Sequence, residues 1–300
     1  MLHSAQQLKD MVAEKDFFIG IDSDGCVFDS MGLKHKECFA PMFIKNFGLQ
    51  SVSQAAREVW EFVNLYSKTR GVNRFHAVVR ALTLLKEHPN VVARKVVIPD
   101  TAALEEWIAR GEKLSNPMLK KEIESGNEAL APALAWSLDL NRAVQEIAIG
   151  VAPLPFVQDC LKKMVGKADV LVVSQTPLEA LEREWAENDM DGYIRGIAGQ
   201  EHGTKSEHLQ FAAVGKYAPE SILMIGDAPG DYDAAQDNNA LFYPIVPGQE
   251  AESWERLFHE GLDRFFAGTY TGEYEEELVQ KFNASLPEQP PWKTRKEFSQ

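Results

Sequence analysis

Short apolar runs alternate with amphipathic stretches through the second half of the chain, and the first half breaks that rhythm after a single run. "FFIGI" (17–21) has the length of a buried strand and stops abruptly at Asp22. After residue 168 come "DVLVVS" (169–174), "YIRGIAG" (193–199), "SILMIGD" (221–227) and "LFYPIV" (241–246), all short and bounded by turn residues. Between them "PFVQDCLKKMV", "PLEALEREWAEN" and "KSEHLQFAAVGKY" carry helical spacing, and "LKDMVAEK" predicts a short opening helix. Strands alternating with helices predict an α/β class, with a Rossmann-like, mainly parallel sheet joined by right-handed crossovers.

Residues 32–150 follow a helical period throughout. "SQAAREVWEFVNLYSK" sets Val59, Phe62, Val63 and Tyr66 at i, i+3, i+4 and i+7, one face of a helix, and "NRFHAVVRALTLLKE" repeats the habit. "DTAALEEWIARG" offers Asp100 as N-cap and Gly111 as stop, and Asn116-Pro117 resembles another cap. "NEALAPALAWSLDLNRAVQEI" predicts a helix kinked at Pro132. An all-helical domain of roughly 120 residues therefore interrupts an α/β core formed by residues 1–31 and 151–250. Two amphipathic helices, "ESWERLFHEGLDRFF" and "GEYEEELVQKF", are expected to pack on that core within residues 251–300, with a flexible Pro-rich end.

Composition narrows the functions on offer. The 300 residues are 45% hydrophobic and carry 45 acidic against 31 basic groups, a formal charge of −14. Nucleic-acid binding and adhesion to an anionic membrane both need basic surface, so both are excluded as general roles. Cys26, Cys38 and Cys160 have no paired spacing and read as free thiols of a reducing compartment. The N-terminus has no apolar signal region, and no run approaches the length of a membrane span, so a cytoplasmic location is expected.

The polar residues that end the apolar runs carry the chemistry. Asp22, Asp24 and Asp29 follow the first strand within eight positions, although like charges so close repel. Ser174, Gln175 and Thr176 end "VLVV", Lys205 opens a helix, and Asp227 and Asp231 follow "ILMI" in "GDAPGD". Ligands of an open parallel sheet bind beyond the carboxyl ends of its strands, so four segments can converge on one crevice. Singly, each of these residues is more often a turn, a helix cap or a solvated charge. Asp29 fits a turn or cap, and Cys26 a small packed side chain.

Taken in order, "IDSDGCVFD", "VLVVS", Lys205 and "ILMIGDAPGD" resemble the four motifs of the haloacid dehalogenase (HAD) superfamily. The helical insert resembles that family's mobile C1 cap. The resemblance implies that Asp22 attacks phosphorus and Asp24 acts as general acid and base. Ser174 and Lys205 would hold the transferring phosphoryl group, with Gly25 and Gln175 beside the substrate. Mg²⁺ would be bound by Asp22, Asp24 (through its carbonyl), Asp227 and Asp231. The acid at Asp24 points away from dehalogenases and phosphonatases of the family, leaving a phosphatase of a small phosphorylated metabolite or a sugar-phosphate mutase. A non-catalytic phosphate-binding scaffold is the further alternative; a dinucleotide reader lacks its G-x-G-x-x-G. Residues 62–86 hold Lys68, Arg70, Arg74, Arg80 and Lys86 and no acid, and Lys68, Arg70 and Arg74 are candidates for binding an anionic or polyhydroxylated substrate.

Overall fold

A computed structural model describes residues 4–294. They divide into two compact units: the residues up to Met31 with Gly150–Leu286, and Gly32–Ile149 with the segment from Pro287.

The first unit is built on five parallel strands, β1 Phe17–Ile21, β2 Ala168–Val173, β3 Gly196–Ala198, β4 Ile222–Gly226 and β5 Leu241–Pro244, in the order β3-β2-β1-β4-β5. Every strand but the first residue of β1 is buried, because helices cover both faces. Ile19, Ile21, Val170, Val172, Leu223, Ile225 and Tyr243 pack on one face. Phe18, Leu171, Val173, Met224 and Phe242 pack on the other. That double burial makes the runs continuous rather than alternating in the sequence. Ile21 pairs with Val172 and with Ile225, so Asp22, Val173 and Gly226 follow at one level. The register alone thus brings the ends of β1, β2 and β4 together.

The helices Glu250–Arg256, Leu262–Phe266 and Glu273–Ser285 pack on this unit through Trp254, Phe265 and Phe282.

The second unit is all-helical around an aromatic core of Phe43, Trp60, Phe75, Trp107 and Trp136, with the Trp60 and Trp136 rings 5.6 Å apart. Helix Ser53–Leu65 buries Val59, Phe62 and Val63, but Tyr66 falls one residue past its end and is exposed. Pro132 does not kink its helix; it sits in the first turn of Ala131–Ile147, where its missing N–H costs nothing. The cap of Ala102–Ala109 is Thr101 rather than Asp100, and Thr101 donates its hydroxyl to Glu105 at 2.6 Å. Likewise Ser115 precedes the helix Asn116–Glu124 that Asn116 begins.

From Pro287, in the Pro-rich stretch for which a flexible end is expected, the chain joins this helical unit. Trp292 packs edge-on against Phe62 at 5.6 Å and lies 5.1 Å from His88, and Lys293 pairs with Glu87 at 2.5 Å. A large indole finds apolar partners there, and its neighbours follow it. The rest of the expected flexible end, residues 295–300, lies outside the described residues. Among the described residues no helix is long and apolar enough to cross a membrane.

Candidate active site

Asp22 leaves β1 while still held by the sheet, its N–H donated to the Ile225 carbonyl at 2.9 Å. Its carboxylate is buried; Oδ1 accepts the Ser23 N–H at 2.8 Å and Oδ2 accepts from Lys205 Nζ at 2.8 Å. The chain then turns sharply. Val27 and Phe28 both donate to the Ser23 carbonyl, Gly25 donates to the Phe28 carbonyl, and Gly25 takes φ 77°, a left-handed value that disfavours any side chain.

Two tryptophans fix this turn. Trp185 Nε1 donates to Ser23 Oγ at 3.1 Å, and Trp254 Nε1 to the Cys26 carbonyl at 2.8 Å. Both lie in stretches with helical spacing and were not singled out by the sequence; the signal was a buried indole, whose N–H must find a partner. Cys26 is no nucleophile here. Burial first, and then the negative charges of Asp227 and Asp22, push its thiol well above the ordinary range, away from thiolate.

Lys205 is the first residue of helix Lys205–Ala212, which starts with a capping box. Glu207 N–H donates to Thr204 Oγ1 at 3.2 Å, and Thr204 N–H to Glu207 Oε2 at 2.7 Å. From that anchored start Nζ bridges Asp22 Oδ2 at 2.8 Å and Asp231 Oδ1 at 2.6 Å. Burial alone would lower the ammonium's pKa, but Asp22 and Asp231 outweigh it and raise the value.

Asp231 is fully buried in the helix Pro229–Asp237, and its other oxygen accepts the N–H groups of Asp227 (3.1 Å) and Ala228 (3.0 Å). It therefore ties the end of β4 to the lysine. Gly226 makes this possible, since a Cβ there would stand 2.3 Å from Asp231 Cβ. Sequence reasoning used the aspartates of "GDAPGD" and passed over the first glycine, whose need is visible only as a close approach.

Asp22, Asp227 and Asp231 each offer an oxygen within 4.8 Å of the others, all buried. Burial raises the Asp22 pKa well above the usual carboxylate range; Lys205 opposes this, and repulsion from Asp231 and Asp227 adds to it. Three clustered buried carboxylates, two of them on one ammonium, are a hard-oxygen set that would suit a divalent cation.

Asp24 is half-buried and turned elsewhere: Oδ1 accepts from Ser30 Oγ at 2.5 Å and Oδ2 from Thr176 Oγ1 at 2.7 Å. Ser174 is buried just past β2, its N–H on the Ala198 carbonyl at 2.9 Å, and its Oγ accepts the Thr176 N–H at 3.2 Å. Gln175 donates to the Gly203 carbonyl at 2.9 Å, bracing the loop that leads to Lys205. Asp29 is exposed. Thus the structure brings together Asp22, Lys205, Asp227 and Asp231 by direct contact, and links Asp24 to the Ser174 turn through Thr176.

The three basic candidates of the helical unit stand in separate settings. Lys68 pairs with Glu288 at 3.3 Å. Arg70 is buried and donates Nη1 to the Leu65 carbonyl at 2.9 Å, at the end of helix Ser53–Leu65. Arg74 donates to Ser137 and Asn141.

The chain is similar in structure to a predicted phosphoglycolate phosphatase from Haemophilus somnus, at 14% identity and TM-score 0.47 over 80% of this chain and 93% of that one. It is also similar to an HAD-superfamily hydrolase of subfamily IA from Geobacter sulfurreducens, at 12% identity and TM-score 0.38 over 78% and 90%. A hydrolase of the haloacid dehalogenase-like family from Streptococcus pneumoniae is a third, at 12% identity and TM-score 0.37 over 80% and 90%. No family model matches the chain, and no curated protein matches it by sequence.

Proposed function

We propose that this chain, a haloacid dehalogenase superfamily member by motif order and fold, is a Mg²⁺-dependent phosphatase of a small phosphate monoester that works through an aspartyl-phosphate on Asp22. The observation that carries this reading is the buried carboxylate of Asp22 bonded to Lys205 and clustered with Asp227 and Asp231. A structural strand end has no use for that charge, whereas phosphoryl transfer needs a nucleophile, a fixed cation and a metal site at one point.

The donor set suits Mg²⁺, which would be held by Asp22 and Asp227, with Asp231 supporting them, and the Asp24 carbonyl joins them by resemblance. Bound there, the ion supplies charge neutralisation at the phosphoryl oxygens. In the first half-reaction an Asp22 oxygen bonds to phosphorus as the bond to the ester oxygen breaks, and Asp24 gives that oxygen its proton. In the second, Asp24 takes a proton from water, whose oxygen bonds to phosphorus, and the bond to Asp22 breaks to release phosphate. Ser174 donates its hydroxyl to the phosphoryl group, and Lys205 favours the ionised form of Asp22 against burial and offsets charge on the group in transit. Ser30 and Thr176 suit Asp24 to both halves, since a hydroxyl can donate to a carboxylate or accept from a carboxylic acid. Three free, buried cysteines suit a reducing compartment, and we place the reaction in the cytoplasm.

Phosphate release from a panel of phosphate monoesters, with Mg²⁺ and with EDTA, tests the reading. Wild type is expected to turn over at least one ester, and Asp22→Asn and EDTA each to remove about 10³-fold or more of that activity. Undiminished turnover in Asp22→Asn would overturn the assignment of the nucleophile.

A further inference from the structure

Among the described residues Arg74 has no counter-ion, although its position calls for one. It is the first residue of helix Arg74–Lys86, where a cation meets the positive end of the helix dipole. The Asn73 cap accepts the Phe75 N–H at 3.0 Å, and the first turn holds no acid. The guanidinium is half-buried, 5.9 Å from the Phe39 ring, and burial lowers its pKa. Its partners are neutral: Nη1 donates to Ser137 Oγ at 3.2 Å and to Asn141 Oδ1 at 2.7 Å. Ser137 in turn donates to Asn116 Oδ1 at 2.7 Å. Asn116 begins the helix Asn116–Glu124, whose first turn also lacks an acid and whose Ser115 cap makes no side-chain bond.

The acceptors of this network are spent on one another, and donors are left over. Asn116 and Asn141 use their carbonyl oxygens and keep their amide N–H groups; Arg74 keeps Nε and Nη2. Among the described residues none of these donors has a protein partner. The acid on the neighbouring helix, Asp139, is taken by Lys45 at 2.8 Å, Asn46 at 3.2 Å and Arg142 at 3.7 Å. Lys68, by contrast, already has Glu288.

We propose that the helical unit carries its own binding site for a small oxyanion, a carboxylate or phosphate group, centred on the Arg74 guanidinium and lined by Ser137, Asn141 and Asn116. A planar guanidinium flanked by amide donors matches two oxygens of such a group, and a carboxylate or phosphate supplies the charge the protein withholds. The site lies wholly within the helical unit and stands or falls independently of the phosphatase reading.

The test measures the thermal midpoint of the full chain against inorganic phosphate and, separately, malonate, at matched ionic strength, for wild type, Arg74→Gln and Asn141→Asp. Asn141→Asp is nearly isosteric and puts a carboxylate in the place of the Asn141 oxygen that now lies 2.7 Å from Nη1. The expected result is a saturable rise in wild type about twofold or more that of either variant. Asn141→Asp should also start from a higher midpoint in plain buffer, because the built-in acid fills the site. A response to phosphate alone assigns a phosphoryl ligand; a response to malonate assigns a carboxylate. The core site is unchanged in all three proteins, so its contribution cancels. Equal responses in all three, or an Asn141→Asp protein indistinguishable from wild type, would overturn the proposal; should Arg74→Gln fail to fold, Asn141→Asp decides alone.

Discussion

The two units bury charge in opposite ways. The α/β unit gathers three carboxylates around one lysine, and the helical unit half-buries a guanidinium among amides and hydroxyls. In the first the excess is negative and the strands impose it, because parallel register delivers Asp22 and Asp227 to neighbouring strand ends. In the second the excess is positive and comes from packing between helices that do not adjoin in sequence. A charge withdrawn from water without a partner is costly, so on the readings proposed above a cation would complete the first unit and an anion the second.

The contrast breaks most visibly at Lys205. Lys205→Met leaves Asp22 and Asp231 buried with no ammonium and is expected to cost about 3–5 kcal/mol in denaturant unfolding without metal, with Mg²⁺ restoring part of it. Equal stability of mutant and wild type in EDTA would mean that the carboxylates do not carry the charge assigned to them.

His208 shows the α/β unit refusing a second cation. Burial, then repulsion from His202 and Lys205, lowers its pKa from 6.5 to about 4. A depressed pKa means that the unfolded chain binds the proton first. The contribution to stability is complete above pH 6.5 and is lost as pH falls toward about 4. The unfolding free energy of wild type should therefore fall relative to that of His208→Leu across that window by up to about 3 kcal/mol. Parallel pH profiles would show that the imidazole stays protonated in the folded state.

Gly226→Ala tests the fit that holds Asp231, since its Cβ would stand 2.3 Å from the aspartate Cβ. A loss of about 2–3 kcal/mol is expected. The control is Gly230→Ala, inside the helix Pro229–Asp237 with nothing within 4 Å of its Cβ, which should leave stability level or raise it by about 0.5–1 kcal/mol. Two equal losses would remove the close approach as the cause.

The smallest effect belongs to the C-terminal segment. Trp292→Ala should cost about 2 kcal/mol. Amide exchange should report it in Ser53–Leu65 and Arg74–Lys86, with the sheet unaffected. Lost protection in β1 or β4 instead would contradict the placement of Trp292 on the helical unit.

Legibility differs between the units for the same reason. β1 ends at Ile21 as the apolar run does, and the helices Val157–Met164, Leu178–Glu187 and Lys205–Ala212 lie within their predicted stretches. The positions of Asp22, Ser174, Lys205 and Asp227 follow from where those runs stop. Tyr66, Pro132 and Asp100 were misread because the end of a helix depends on the residues it meets as well as on its own pattern. The indole bonds of Trp185 and Trp254 span more than 160 positions of chain, beyond the reach of any local pattern.

The sequence by itself determined the α/β class, the helical insertion and the order in which acids and lysine meet the strand ends, because apolar length, period and turn chemistry are local properties. Only the tertiary structure decided that Asp231 is spent on Lys205 and two backbone amides, that Asp24 rests between Ser30 and Thr176, that Trp292 joins the helical unit, and that Arg74 is bonded to Ser137 and Asn141. Each of those outcomes depends on which of several available partners arrives within about 3 Å, and hydrogen bonds and ion pairs fall off too steeply with distance and angle for chain order to choose among them.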